Sequence, residues 1–251
     1  MTTTKPIGIQ VIGAGLPRTA TSSLQAALHQ LGYHPCQHMV SDVLRDIGGL
    51  GRQWTQAFQA RDKASRHAIL REICKDYRAI VDAPGCFFVE DLMEIYPEAK
   101  VVLGLRKSPE AWLKSYKETI GTVRYNYTWY SLGFLLPPVR WLWNFTLYWE
   151  KMTREKFHTS VPTLEHYHRH NDYIRRVVQK DRLIEFEPSQ GWEPLCKFLE
   201  QPIPDSPYPR LNDTKQMQTA LLYSHFVGAG LWGLTGLALF GVWKGIDLVL
   251  R

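Results

Sequence analysis

Residues 8–28 read GIQVIGAGLPRTATSSLQAAL: an apolar run, a glycine turn carrying one arginine and four hydroxyl residues, and then an amphipathic stretch. Strand, loop and helix in that order are what a parallel α/β sheet uses to present an anion-binding turn at a helix N-terminus. Backbone N–H groups point outward there and the helix dipole favours negative charge. Thr19, Thr21, Ser22 and Ser23 would donate to phosphate or sulfate oxygens. Serine and threonine also favour helix N-caps for their own sake, but one cap needs one hydroxyl, not four beside Arg18.

Outward from this loop the chain alternates short apolar strands with amphipathic helices, which predicts a three-layer α/β fold: a parallel sheet with helices on both faces. Strands are expected at 8–13, 35–38, 78–82, 100–106 and 182–187. Leu24, Ala27, Leu28 and Leu31 repeat at helical spacing, as do Trp192, Leu195, Cys196 and Leu199. Ligands of such sheets bind beyond the carboxyl ends of the strands. Those ends carry the loop at 13–23, His38, Asp82, Arg106 and Glu187. Alone, Asp82 would start a turn and Arg106 would end a strand; together with Arg18 they favour a phosphate-bearing ligand.

Two common phosphate motifs do not fit. A dinucleotide fingerprint from Gly13 has arginine where its third glycine belongs, and no acidic residue ends the second strand to hold a ribose. A Walker A loop from Gly15 puts Ala20 and Thr21 where glycine and lysine are required. The run Pro17, Arg18, Thr19, Ala20, Thr21, Ser22 instead resembles the 5′-phosphosulfate loop of the sulfotransferases, Pro, Lys or Arg, Ser or Thr, Gly, Thr, Thr or Ser. The similarity is closest to the fungal-type, sulfotransferase-like P-loop proteins. It runs through IGAGLPRTATSSLQAALHQLGYHPCQHM, VDAPGCFFVEDLMEIYPEAKVVLGLRKSPEAWLKS and DRLIEFEPSQGWEPLCKFLEQPIPD.

That resemblance implies a transferase moving a sulfuryl group from 3′-phosphoadenosine 5′-phosphosulfate (PAPS) to a hydroxyl or amine, here a hydroxyl of an apolar small molecule, without a metal. By analogy Gly15, Pro17 and Ala20 shape the loop, and Arg18 grips the bridging and terminal oxygens. Thr19, Thr21, Ser22 and Ser23 bind the 5′-phosphate, and Arg106 with Ser115 holds the 3′-phosphate. Sulfuryl transfer, like phosphoryl transfer, needs positioning and positive charge at the leaving group, which an arginine fork at a helix N-terminus supplies. The chain departs from the family in having Arg18 for the usual lysine, Ala20 for the usual glycine, and Ser115 nine rather than eight residues after Arg106. Ser108 and Lys107 are alternative contacts. The family's histidine near the third strand is absent, leaving His38 and Asp82 as candidate bases, with His38 as a simple buried histidine the other reading. His166, His168 and His170 match no zinc spacing and are expected at the surface or at a hinge.

The 251 residues are 45% hydrophobic, 22% charged and 12% aromatic, which excludes disorder, collagen and a disulfide scaffold. A net charge of +6 without basic runs suits small anions or an acidic membrane surface and argues against nucleic acid. Cys36, Cys74, Cys86 and Cys196 form no metal spacing and read as reduced packing residues of a chain in a cytosol-facing compartment. No signal-peptide pattern opens the chain. Residues 219–243, by contrast, hold no Asp, Glu, Lys or Arg and include LLYSHFVGAGLWGLTGLALFGVW. As a helix this stretch would span about 36 Å, enough to cross a hydrocarbon core of about 30 Å. The expected organisation is a sulfotransferase-like domain over 1–212 and a linker and anchor over 213–251, with the domain facing the cytosol. A buried core helix or an interfacial hairpin is the alternative. Residues 125–149, YNYTWYSLGFLLPPVRWLWNFTLYW, read as a cover for an apolar acceptor, as a surface lying against the membrane, or as packing between helices. Pro137 and Pro138 forbid one continuous helix there. Two other functions use the same fold: isomerisation or cyclisation of a natural product, and a membrane-tethered nucleotide-binding scaffold.

Overall fold

The computed structural model describes residues 8–43, 49–124, 126, 131, 133–211 and 213–250. Five short strands pair in parallel: β1 (Val11–Gly13), β2 (Cys36–Gln37), β3 (Ala79–Ile80), β4 (Lys100–Gly104) and β5 (Leu183–Phe186), in the order β2-β3-β1-β4-β5. Each lies inside its expected stretch but is shorter. Asp82, for example, takes a left-handed φ of 70° and ends the extended run after β3. β1 pairs Ile12 with Ile80 on one side and with Val101 on the other. The chain leaves β1 for β2 at the sheet edge, comes back beside β1 as β3, and then crosses to its other flank as β4. The crest of β1 is therefore the switch point of the sheet, with the turns after β3 and β4 on either side.

Alternation along the strands divides the core in two. Val11, Ala79, Val81 and Val102 pack with α1 (Thr21–Gln30) and α9 (Trp192–Leu199), whose Leu24, Leu28, Leu195 and Leu199 form the buried stripes that the periodicity implies. Ile12, Ile80, Val101 and Leu103 face the opposite layer. That layer is built from α2 (Leu50–Gln59), α3 (Lys63–Cys74), α4 (Val89–Ile95), α5 (Pro109–Lys117), α7 (Pro137–Phe157) and α8 (Leu164–Val177), with a short α6 (Ile120–Arg124) after α5. All four cysteines are buried and free, and burial pushes the Cys74 thiol up to about 12, so these are packing groups.

Two parts of the sequence reading change. His166 and His170 are not at the surface or at a hinge: both are buried on α8, while His168 is exposed. Spaced four apart, they belong to the apolar face that also carries Tyr167, Tyr173 and Ile174, so helical period and not residue polarity decides their burial. The last helix, α10, runs from Asp213 to Val249 without an intervening linker, since nothing in DTKQMQTA breaks a helix. Its stretch His225–Leu248, 24 residues of mean hydropathy 1.6, is long and apolar enough to cross a membrane, five residues beyond the expected window. Within 125–149, α7 begins at the proline pair, and Phe145 and Trp149 are buried against Phe87. These side chains pack between helices. Residues 125, 127–130 and 132, which complete the proposed cover, lie outside the described residues.

Candidate functional site

β1 ends at Gly13, and the loop that follows is locked in place by its neighbours. A Cβ on Gly15 would lie 2.5 Å from Thr19 Oγ1 and 2.7 Å from the Gly104 carbonyl, so only glycine lets this backbone pass the end of β4. The Trp112 indole of α5 donates to the Pro17 carbonyl (2.9 Å). Buried His170 donates from Nε2 to the Ala14 carbonyl (2.8 Å), and burial pushes its pKa down to about 4. Thr19 closes the turn by donating to the Leu16 carbonyl (2.8 Å). Arg18 and Ala20 take left-handed backbone with φ of 76° and 63°, and Ala20 stands at the N-cap of α1. Non-glycine residues rarely hold this conformation, and such strain gathers at functional turns.

The four hydroxyls divide their work. Thr19 is used inside the loop, and Ser23 Oγ accepts the Leu211 N–H (3.0 Å). Thr21 and Ser22 face His38, at 3.1 and 3.2 Å from its Nε2. Asp82 Oδ2 lies 3.4 Å from the same nitrogen, so the crest residues of β2 and β3 and the first turn of α1 form one buried cluster. The Val40 N–H donates to Nδ1 (3.2 Å), which places the neutral ring's proton on Nε2, directed at the hydroxyls and Asp82. Asp42, which the sequence reading did not single out, orients this histidine by accepting its backbone N–H (3.0 Å).

On the other flank, Arg18 Nε and Arg106 Nη2 both donate to Ser115 Oγ, at 3.3 and 3.2 Å. The nine-residue spacing therefore still brings Arg106 and Ser115 together. Ser108 accepts the Ala111 N–H and caps α5, so its hydroxyl serves the helix. The Tyr167 hydroxyl accepts the Arg106 N–H (3.1 Å), tying β4's exit to α8. Trp112, Tyr167 and His170 were missed from sequence because they act through backbone groups. Their shared signal is the period of α5 and α8. Among the described residues no cluster of three or more His, Cys, Asp or Glu could hold a metal ion.

Sheet order, glycine turn and two arginines converging on Ser115 thus define a parallel α/β protein with its candidate site at the crest of β1, and comparison with known families gives the class its name. The sulfotransferase domain family matches residues 10–217, and the chain belongs to that family. A curated relative, Ava biosynthesis cluster protein M of Aspergillus versicolor, is 31% identical over 258 residues, spanning 94% of this chain and 96% of that protein.

Proposed function

We propose that the protein transfers a sulfuryl group from PAPS to a hydroxyl of an apolar small molecule. Residues 1–212 would be the transferase domain, and the apolar helix within 213–251 a membrane anchor that leaves this domain in the cytosol. One observation carries the donor assignment: two guanidinium groups converge on a single hydroxyl, Ser115, beside a helix N-terminus. Two guanidinium groups sharing one hydroxyl favour an anion between them, and buried Arg106 Nε has no hydrogen-bond partner among the described residues. The donor set therefore fits a nucleotide bearing phosphate and sulfate oxygens.

In this reading Arg106 and Ser115 hold the 3′-phosphate, and the loop amides with Gly15, Pro17, Thr19, Ala20, Thr21, Ser22 and Ser23 form the cradle for the 5′ end. Thr19 and Ser23 act by shaping it. Arg18 neutralises charge on the leaving side. Bound PAPS supplies an electrophilic sulfur and an anionic leaving group. The proton of the acceptor hydroxyl passes to Asp82. His38 assists by presenting Nε2–H to that carboxylate and to Thr21 and Ser22, since its other nitrogen is engaged by Val40.

Calorimetric titration of the detergent-solubilised full chain with 3′-phosphoadenosine 5′-phosphate, ATP and NAD tests the donor. Binding of the first ligand alone, weakened by Arg18→Ala, is expected. Equal binding of ATP would overturn it. A second reading, isomerisation or cyclisation in a biosynthetic route without net sulfation, is favoured by the engaged ring of His38 and by Arg18 in place of the usual lysine. Acceptor turnover with no donor added would select that reading, and nucleotide binding with no turnover over a broad panel of alcohols would leave a scaffold.

A further inference from the structure

The apolar helix is shielded on one stripe over its first half. His225, Gly228, Leu231 and Thr235 are partly or fully covered, whereas Phe226, Leu234 and Leu237 are exposed. Trp232 shows what lies beside it: its indole N–H donates to the Ser131 carbonyl (2.6 Å). Trp232 stands seven residues inside the apolar stretch, about 10 Å along the helix axis. In a bilayer, a backbone carbonyl at that level would have no water to bond, and the indole would satisfy it.

The chain that follows Ser131 is equally suited to lipid. From 133 to 149 Arg140 is the only charged residue, and its guanidinium lies over the Phe134 ring at 5.8 Å. Phe134, Leu135 and Leu147 are exposed. At Glu150 α7 changes character, with the ion pairs Glu150–Arg154 and Lys151–Glu155 along its solvated half. The apolar half also reaches α2. The Trp141 indole donates to Thr55 of α2 (3.1 Å), and α2 follows the π-helical turn Met39–Val43 that leaves the crest at His38.

We propose that Phe134, Leu135 and Leu147 form a lipid-docking face, seated at the headgroup and acyl boundary of the same bilayer that the apolar helix enters. This rests on the membrane-anchor reading. The face is continuous with the helix through the Trp232 bond to Ser131, and among the described residues it lacks the cation cluster that an anionic headgroup would need, so the occupant is the apolar boundary itself.

The native thiols are buried, so a bimane probe can be placed on an introduced cysteine in the full chain. Leu135→Cys and, as a second position, Leu147→Cys test the face; Leu239→Cys reports the helix, and exposed Glu72→Cys reports the solvated side. In vesicles containing spin-labelled phosphatidylcholine, loss of emission at 135 and 147 approaching that at 239, with none at 72, is expected. Quenching at 239 without quenching at 135 and 147 overturns the docking face and leaves the anchor intact. Absence of quenching at all four positions overturns both. A probe at 135 shielded from lipid that cross-links to a second copy overturns the proposal in favour of a dimer face.

Discussion

Ala20 holds a φ of 63° at the start of α1, where a Cβ is unwelcome and the family pattern carries glycine. A left-handed alanine costs about 1–2 kcal/mol, part of which glycine returns through its looser unfolded chain. Ala20→Gly is therefore expected to raise stability by roughly 1 kcal/mol, read as a higher midpoint in denaturant titration. An unchanged or lower midpoint would show that the loop relieves this strain elsewhere. Arg18 belongs to the same turn but acts through charge. Losing one charge-assisted contact, worth about 1.5–3 kcal/mol, should lower affinity for 3′-phosphoadenosine 5′-phosphate roughly 10- to 100-fold in Arg18→Ala.

Two helices act on the loop from behind, and each makes a separate expectation. The Trp112 indole of α5 satisfies the Pro17 carbonyl, so Trp112→Phe keeps the packing and leaves a buried acceptor unpaired. A stability loss of about 1–3 kcal/mol, with weaker nucleotide binding, should follow in calorimetry. His170 of α8 gives a pH dependence with a definite sign. Its pKa in the fold, about 4, lies below the ordinary 6.5 because burial disfavours the charged ring, with Lys156 adding repulsion. The unfolded chain takes up the proton first, so this contribution is complete above pH 6.5 and shrinks as pH falls toward 4, by about 3 kcal/mol across the window. Denaturant stability of the wild type should drop more steeply between these values than that of His170→Gln. Parallel slopes would remove His170 as the source.

At the scale of the whole chain, the α/β domain and the apolar helix present different surfaces to their surroundings. Leu234 and Leu237 lie near the middle of His225–Leu248 and are exposed. A charge at mid-membrane costs about 2.5–3.5 kcal/mol per residue on insertion scales. The double substitution Leu234→Arg with Leu237→Arg should move the expressed full chain from the carbonate-resistant membrane pellet to the soluble fraction, while the wild type stays in the pellet. Equal partition of the two chains would contradict the anchor.

Hydrophobic period and loop chemistry are local properties, which is why the five strand positions, the buried stripes of α1 and α9, the sulfotransferase resemblance and the membrane-length apolar run could all be read from residue order. The meeting of Arg18 with Arg106 at Ser115, the buried cluster of Thr21, Ser22, His38 and Asp82, and the support of the loop by Trp112 and His170 join residues far apart in the chain. These contacts arise only when β3 and β4 flank β1 and α5 and α8 pack beneath the crest. No local pattern contains that geometry. The burial of His166 and His170 and the hydrogen bond from Trp232 to Ser131 belong to the same class: a polar side chain's environment is set by what packs over it, and the tertiary fold alone decides that.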